Sequence, residues 1–238
     1  MNLIEHIIEP KRLYLYWQSP EYHRHKVAEM NRDAISGDIN LVYLVNTDEY
    51  SKAIEKGFTG YPAYPIDKDK YSDVLDIFMR RLPPRSRMDF GEYLTALRLP
   101  NNVKISDFAL LGYAGAKLPS DDFLLIHPFE DITLPCEILV HVAGFRHYNE
   151  ARGMLNKEIV EGVDVQVKDE PDNQFDSQAI AVYIKNIKIG NITRGIIPSF
   201  REWMHKGLIH KLVVERINGT SENPELYLFL KLSLKEYY

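Results

Sequence analysis

The feature that most constrains this chain is a change in the spacing of its apolar residues after Asp131. From there the apolar residues come in short alternating runs, separated by turn residues, as in half-buried strands. The predicted strands are 136–142, 163–167, 179–184, 188–192, 211–217 and 226–232, and one helix is predicted over 196–205. Several short strands of this kind predict a small β-barrel. We therefore place a domain boundary between residues 131 and 132.

The first 131 residues mix two patterns. Alternation predicts strands over 13–17, 26–30, 40–45 and 123–126. Helical spacing of apolar residues predicts helices over 48–56, 72–81, 88–97 and 105–112, with Asp48 as the cap of the first. The predicted fold class is α+β, with an N-terminal mixed α/β domain over 1–131 and a β-barrel domain with one helix over 132–238.

The charge of the chain excludes a broad basic surface. The 238 residues carry a net charge of −5, divided as −4 in residues 1–131 and −1 in residues 132–238. A protein that coats nucleic acid needs a strongly positive face. Any nucleic acid must therefore be held here by individual residues in a local site.

The cysteine count and the hydropathy pattern indicate a cytoplasmic protein. Cys136 is the single cysteine, so the chain has no internal disulfide and no cysteine-based zinc site. Glu5 and Glu9 interrupt the first apolar run, which argues against a signal peptide. No stretch approaches the roughly 18 apolar residues of a membrane span.

The sequence contains none of the motifs that would indicate an enzyme. It has no phosphate-binding G-x-x-x-x-G-K-[ST] loop, no H-E-x-x-H and no G-x-S-x-G. His23 and His25 stand without a nearby cysteine and are interpreted as part of a surface turn, and the acidic pair Asp121-Asp122 has no evident partner. We expect no catalysis, no cofactor and no metal.

The most informative segment is E-P-D-N-Q-F-D-S-Q-A-I-A-V over residues 170–182. Pro171 fixes one φ angle, and Asn173 and Asp176 can hydrogen-bond the backbone of their own turn, so the segment reads as strand, turn, strand. About twenty-five residues earlier stands G-F-R-H-Y (144–148), and I-G-N-I-T-R (189–194) follows before the predicted helix.

This order of motifs resembles the HIRAN domain over roughly residues 134–220. The family pattern has a glycine and an arginine followed by aromatic or histidine positions, then a turn E-P-x-N-x-[YF]-D-x-x-A-I-x-V, then I-G-x-[IVL]-x-[RK] and a helix. HIRAN domains of fork-remodelling ATPases are small SH3-like barrels that capture the 3′ end of single-stranded DNA. The resemblance therefore implies an SH3-like barrel and single-stranded DNA, or a DNA 3′ end, as the partner.

The resemblance also implies roles for four residues in and after the turn. Asp176 would accept a hydrogen bond from the 3′ hydroxyl, and Phe175 would stack on the terminal base. Asn173 would stabilise the turn or hydrogen-bond the base or the sugar. Arg194 would reach a backbone phosphate.

Four further site residues follow from the same resemblance. Arg146 and Tyr148 would contact the terminal nucleotides, by the guanidinium fork and by stacking. His147 and Asn191 also fall within the matching motifs. His147 and Phe175 stand where the DNA-end binders usually have tyrosine, and Asn191 occupies a position that can be histidine.

Simpler interpretations remain open for the same residues. Asn173 and Asp176 are residue types that shape turns without any ligand. Arg146 is also interpretable as a surface residue paired with Glu150. Aromatic side chains such as those of Tyr148 and Phe175 are also typical of a barrel core.

The N-terminal half resembles, more loosely, the N-terminal subdomain of HipA-type kinases. The similarity lies in residues 78–86, 110–117 and 123–128, and bacterial HIRAN proteins often carry such a region. The family's ATP loop, catalytic aspartate and metal ligands have no counterpart, so kinase activity is not implied.

The cations Arg80, Arg81, Arg85 and Arg87 form the densest positive cluster. They are either a solvated helix end or a contact for phosphate or an acidic partner.

Two functions follow as hypotheses. The first is a nucleic-acid-binding module that recognises single-stranded DNA or an exposed 3′ end without catalysis of its own. The alternative is an antitoxin-like regulator whose N-terminal half binds a HipA-like kinase. A helicase or nuclease is a further candidate partner of that half.

Overall fold

The computed structural model describes residues 1–220 and 222–234. The chain forms two compact units. The amino-terminal unit holds residues 9–93 and 104–130, and the carboxy-terminal unit holds residues 1–8, 94–103 and those from 131 onward. The predicted domains 1–131 and 132–238 stay a prediction, and the last four residues of the second lie outside the described residues.

The amino-terminal unit is built on an antiparallel sheet of five strands in the order β6-β3-β2-β1-β7, beside a two-stranded hairpin of β4 and β5. The strands are β1 (Arg12–Gln18), β2 (Arg24–Arg32), β3 (Ile39–Tyr43), β4 (Gly60–Tyr61), β5 (Tyr64–Pro65), β6 (Lys70–Tyr71) and β7 (Phe123–Ile126). The four strands predicted in this half are confirmed within a few residues. The three two-residue strands are too short for an alternation pattern to indicate.

Four helices lie in the first half of the chain, and all are shorter than predicted or shifted. They are α1 (Asp48–Glu55), α2 (Leu75–Met79), α3 (Phe90–Ala96) and α4 (Asp107–Ala114). The cap of α1 is Thr47 rather than Asp48, because the Thr47 hydroxyl accepts the Tyr50 N–H at 3.2 Å. Ser106 caps α4 in the same way, accepting the Ala109 N–H at 3.0 Å.

The arginine cluster of this unit is largely neutralised by acidic partners. Arg81 is buried and donates two hydrogen bonds to Asp121, at 2.6 and 2.8 Å. The expectation that Asp121 has no partner is therefore wrong, since a contact across 40 residues leaves no local sequence pattern. Arg85 pairs with Asp107 at 2.7 Å, and Arg87 pairs with Asp89. The predicted patch is thus not a free set of four cations.

The carboxy-terminal unit is built on an antiparallel sheet of six strands in the order β12-β13-β8-β11-β10-β9. The strands are β8 (Cys136–Ala143), β9 (Gln166–Asp169), β10 (Ile180–Ile184), β11 (Ile187–Ile192), β12 (Ile209–Gly219) and β13 (Pro224–Leu232). The helices are α5 (Asn149–Gly153) and α6 (Ile197–His205), so the expectation of one helix is wrong. The five-residue α5 is too short to show helical periodicity.

One segment joins the two edges of this sheet. Residues 162–165 hydrogen-bond with β12, through Gly162 N–H to Val214 O at 2.8 Å and Val165 N–H to Leu212 O at 3.0 Å. The next residues form β9, which pairs with β10 at the opposite edge. The sheet therefore curls into a half-barrel, and its SH3-like topology stays a prediction.

Two buried carboxylates bind distant parts of the chain to this sheet. Glu215 of β12 accepts hydrogen bonds from the Asn2 side chain at 2.6 Å and from Arg98. Glu137 of β8 accepts the backbone N–H groups of Glu5 and His6, at 3.0 and 3.2 Å. Residues 1–8 and 94–103 are consequently parts of the carboxy-terminal unit.

Among the described residues, no helix combines the length and the apolar character that crossing a membrane requires.

Candidate nucleic-acid interface

The turn between β9 and β10 is fixed by its own side chains. The Asn173 Oδ1 accepts the backbone N–H groups of Phe175 and Asp176, at 2.9 and 3.1 Å. The Asp176 Oδ1 accepts the Gln178 N–H at 2.9 Å. Such bonds from short polar side chains to nearby N–H groups are why this sequence turns here. The turn-shaping interpretation of Asn173 and Asp176 is therefore correct, whatever else these residues bind.

The ring of Phe175 points into solvent from this turn. The residue is 80% exposed, so it is not part of the core. Its backbone N–H donates to the Asn173 Oδ1, and its carbonyl oxygen accepts a hydrogen bond from Arg194 at 3.3 Å. An exposed ring on a fixed backbone is a suitable surface for stacking a base.

A cation lies next to that ring. Arg194 opens a short 3₁₀ turn, Arg194–Ile196, that leads into α6. Its Nε donates to the Asp176 Oδ2 at 2.8 Å. The structure thus brings Phe175, Asp176 and Arg194 together, as the sequence predicts.

Glu170 is the centre of a network of side-chain hydrogen bonds. Asn191 donates through Nδ2 to the Glu170 Oε2 at 2.9 Å, and its Oδ1 accepts from the Tyr148 hydroxyl at 3.4 Å. Lys188 donates to the Glu170 Oε1 at 2.5 Å, and its ammonium lies 5.4 Å from the centroid of the Tyr148 ring. Asn173 joins this network through its Nδ2, which donates to the Glu170 Oε2 at 2.7 Å.

This network shifts the pKa values of its two charged members, Glu170 and Lys188. Burial alone would raise the pKa of Glu170, but hydrogen bonds from Lys188, Asn173 and Asn191 outweigh it, so the pKa lies below its usual value. Burial alone would lower the pKa of Lys188, but its hydrogen bonds to Glu170 and Tyr148 outweigh it and raise the pKa. Both groups are therefore charged at neutral pH.

A β-bulge brings Lys188 and Asn191 to the same face of β11. In the pairing with β10, Val182 faces Gly190 while Tyr183 faces Lys188, so Ile189 is an extra residue. Without the bulge, positions 188 and 191 would point to opposite faces of the sheet. This is why alternation in the sequence did not single out Lys188.

Arg146 and His147 lie beside this network rather than in it. Both are in the 3₁₀ turn Phe145–His147, directly before Tyr148, and both are exposed. Arg146 donates to the His147 Nε2 at 3.2 Å and to the Asn223 Oδ1 at 3.5 Å. Tyr148 is half-buried, with the Lys188 ammonium 5.4 Å from its ring centroid.

Hydrogen bonds thus connect six of the eight predicted site residues through Glu170. They are Tyr148, Asn173, Phe175, Asp176, Asn191 and Arg194. The sequence analysis missed Glu170 and Lys188, although Glu170 is the first residue of the turn motif. The roles assigned to the eight residues stay predictions.

The carboxy-terminal region thus combines a curled antiparallel sheet with a turn held by its own side chains, and its match to a family profile places it in the class of nucleic-acid-binding modules. More specifically, residues 136–236 match the sequence profile of the HIRAN domain, so this region of the chain is a HIRAN domain. The match covers less than half of the 238 residues, and it leaves the amino-terminal unit unassigned.

Two solved structures are similar to part of this chain. One is a protein from Lactobacillus plantarum, with 24% identity and a TM-score of 0.32, covering 41% of this chain and 98% of that one. The other is the HIRAN domain of human HLTF, with 20% identity and a TM-score of 0.29, covering 41% of this chain and 76% of that one. Neither likeness is close enough to support a functional inference. A comparison with curated proteins finds no match.

Proposed function

We propose that the HIRAN domain of this chain binds single-stranded DNA at an exposed 3′ end, without catalysis of its own. The observation that carries the proposal is the grouping of an exposed ring and a carboxylate in one turn, at Phe175 and Asp176, with the guanidinium of Arg194 hydrogen-bonded to both residues. These are the three chemical groups that a terminal nucleotide needs.

Each group has a distinct task in this proposal. The Phe175 ring stacks on the terminal base, which is tolerant of sequence because every base has a π face. The Asp176 carboxylate accepts a hydrogen bond from the 3′ hydroxyl. Arg194 binds a backbone phosphate, for which its planar fork is suited.

The charge of the region supports a local site over broad binding. Residues 132–238 carry a net charge of −1, so they offer no general attraction for a polyanion. Strand-end recognition requires few phosphate contacts, because stacking and hydroxyl capture supply the selectivity. We expect a shallow dependence of affinity on salt for the same reason.

The substitution Asp176→Asn tests the hydroxyl contact. The Asn side chain keeps an oxygen for the Gln178 N–H but replaces the oxygen that faces Arg194 with a donor. We expect a loss of about tenfold in affinity for a strand with a free 3′ hydroxyl, the scale of one charged hydrogen bond. Affinity for the same strand with a 3′ phosphate should change little.

Fluorescence anisotropy with the two labelled oligonucleotides measures both affinities. The matched control is Asp172→Asn, which makes the same charge change at an exposed position of the same turn. If Asp176→Asn weakens binding to both strands equally, hydroxyl capture by Asp176 is wrong.

The amino-terminal unit stays without an assigned partner. Its resemblance to HipA-type kinases is a prediction, as are the kinase, helicase or nuclease partners that it suggests. These partners do not follow from the presence of a HIRAN domain.

A further inference from the structure

The carboxylate of Glu170 lies at the centre of the proposed site without a role in it so far. It accepts hydrogen bonds from three side chains, those of Asn173, Asn191 and Lys188. Its side chain is 25% exposed, so these donors and not water provide most of its solvation. A carboxylate in such a position fixes the orientation of the side chains that donate hydrogen bonds to it.

The orientation of two amide side chains follows from elementary hydrogen-bond chemistry. An ionised carboxylate only accepts hydrogen bonds, so the Asn173 and Asn191 amides must turn their NH₂ groups towards Glu170. Their oxygens then face the other way. The Asn173 Oδ1 holds the two backbone N–H groups of the turn, and the Asn191 Oδ1 faces the Tyr148 hydroxyl.

The two carboxylate oxygens of Glu170 accept hydrogen bonds from different donors. Oε2 receives both amides, at 2.7 and 2.9 Å, while Oε1 receives Lys188. The ion pair with Lys188 is therefore separable from the orientation of Asn173 and Asn191. That separation allows an experiment to distinguish the two roles.

We propose that Glu170 is the positioning residue of the 3′-end site, because its carboxylate orients the Asn173 and Asn191 amides and so holds the turn in the shape that presents Phe175 and Asp176. This proposal rests on the function proposed above. It deepens that function by assigning the preference for a free 3′ hydroxyl to a residue that need not touch the DNA.

Three substitutions test the proposal. Glu170→Met keeps the length of the side chain and removes every acceptor, so the ratio of affinities for 3′-hydroxyl and 3′-phosphate strands should fall by about tenfold, the equivalent of one charged hydrogen bond. Glu170→Gln retains one oxygen for the two amides and should preserve most of the ratio. Lys188→Met removes only the ion pair and should also preserve it.

A merely structural ion pair would give a different pattern. In that case Lys188→Met and Glu170→Gln would lose the same preference as Glu170→Met, and the proposal would be overturned. It would equally be overturned if Glu170→Met kept the ratio of the unmodified protein. Circular dichroism melting curves establish that each variant is folded before binding is compared.

Hydrogen exchange of side-chain amides provides a readout that does not depend on DNA. In the unmodified protein the NH₂ protons of Asn173 and Asn191 should exchange more slowly than those of the exposed Asn102. Equal exchange rates would overturn the proposal even if Glu170→Met does not fold. If the unmodified protein shows no 3′-hydroxyl preference, the proposed function fails, while these exchange rates still decide whether Glu170 orients the amides.

Discussion

Phe175 illustrates at the scale of single residues how this protein prepares a surface for a ligand. Its ring is exposed, while its backbone accepts a hydrogen bond from Arg194 and donates one to Asn173. Because the protein's own hydrogen bonds order the turn, binding a ligand does not have to order it. Phe175 and Asp176 are adjacent in the sequence, so their closeness is local, whereas Arg194 lies 18 residues further along the chain and its place in the site was implied only by the resemblance to the HIRAN domain. The hydrogen bond that Arg194 donates to Asp176 could not be predicted from the sequence.

The substitution Phe175→Ala should weaken binding of single-stranded DNA about tenfold, since stacking on an aromatic side chain contributes roughly 1–3 kcal/mol per base. The melting temperature should stay unchanged, because so exposed a ring makes little contribution to folding. Anisotropy titrations and melting curves measure the two effects. The control is Ile35→Ala, which truncates a side chain that is 99% exposed in the amino-terminal unit and should change neither quantity. Unaltered DNA affinity in Phe175→Ala would contradict the stacking role.

At the scale of elements, the bulge in β11 does most to shape the site. It reverses the alternation at Ile189 and so places Lys188 and Asn191 on one face, next to Glu170. Alternation patterns locate strands, and all six predicted strands of this half exist, with β9 displaced by a few residues to Gln166–Asp169. Alternation of apolar residues does not locate bulges, because bulges depend on the close approach of neighbouring strands. The sequence analysis missed Lys188 for this reason.

Gly190 makes that close approach between β11 and β8 feasible. Its φ is +151°, and an added Cβ would lie 2.5 Å from the Val142 Cγ1 and 2.7 Å from the Ala143 oxygen. We expect Gly190→Ala to lower the free energy of unfolding by more than about 1 kcal/mol. Urea denaturation measures the change. The control is Gly153→Ala in α5, where an added Cβ meets nothing within 4 Å and a neutral or slightly stabilising effect is expected. Equal effects at both glycines would show that the bulge tolerates a side chain.

At the scale of the whole molecule, the carboxy-terminal unit is assembled from three separate stretches of the chain. Glu137 and Glu215 are buried in the sheet, and their donors include Asn2, Glu5 and His6. These contacts span 131 to 213 residues, so no local pattern could have indicated them. The predicted domain 132–238 rests on the change in composition after residue 131, which carries no information about contacts with residues 1–8, and it stays a prediction.

Deleting residues 1–8 should lower the free energy of unfolding of the carboxy-terminal unit by about 3 kcal/mol or more. The deletion removes donors from two buried carboxylates, and a hydrogen bond to a charged group contributes roughly 1.5–3 kcal/mol. Chemical denaturation is followed by fluorescence in a Trp17→Phe background, so that Trp203 in α6 is the single tryptophan and reports on this unit. Lys185→Ala, which breaks only an exposed ion pair with Glu158, serves as the control and should have little effect. An undiminished stability after the deletion would mean that the two carboxylates do not need these donors.

The most direct test of strand-end recognition compares a linear single strand with a closed single-stranded circle of the same sequence. Both present the same bases and phosphates, but only the linear strand has a 3′ hydroxyl. In a competition titration against a labelled linear oligonucleotide, we expect the unlabelled linear strand to displace it and the circle not to. Displacement by the circle at the same concentration would contradict the recognition of a 3′ end.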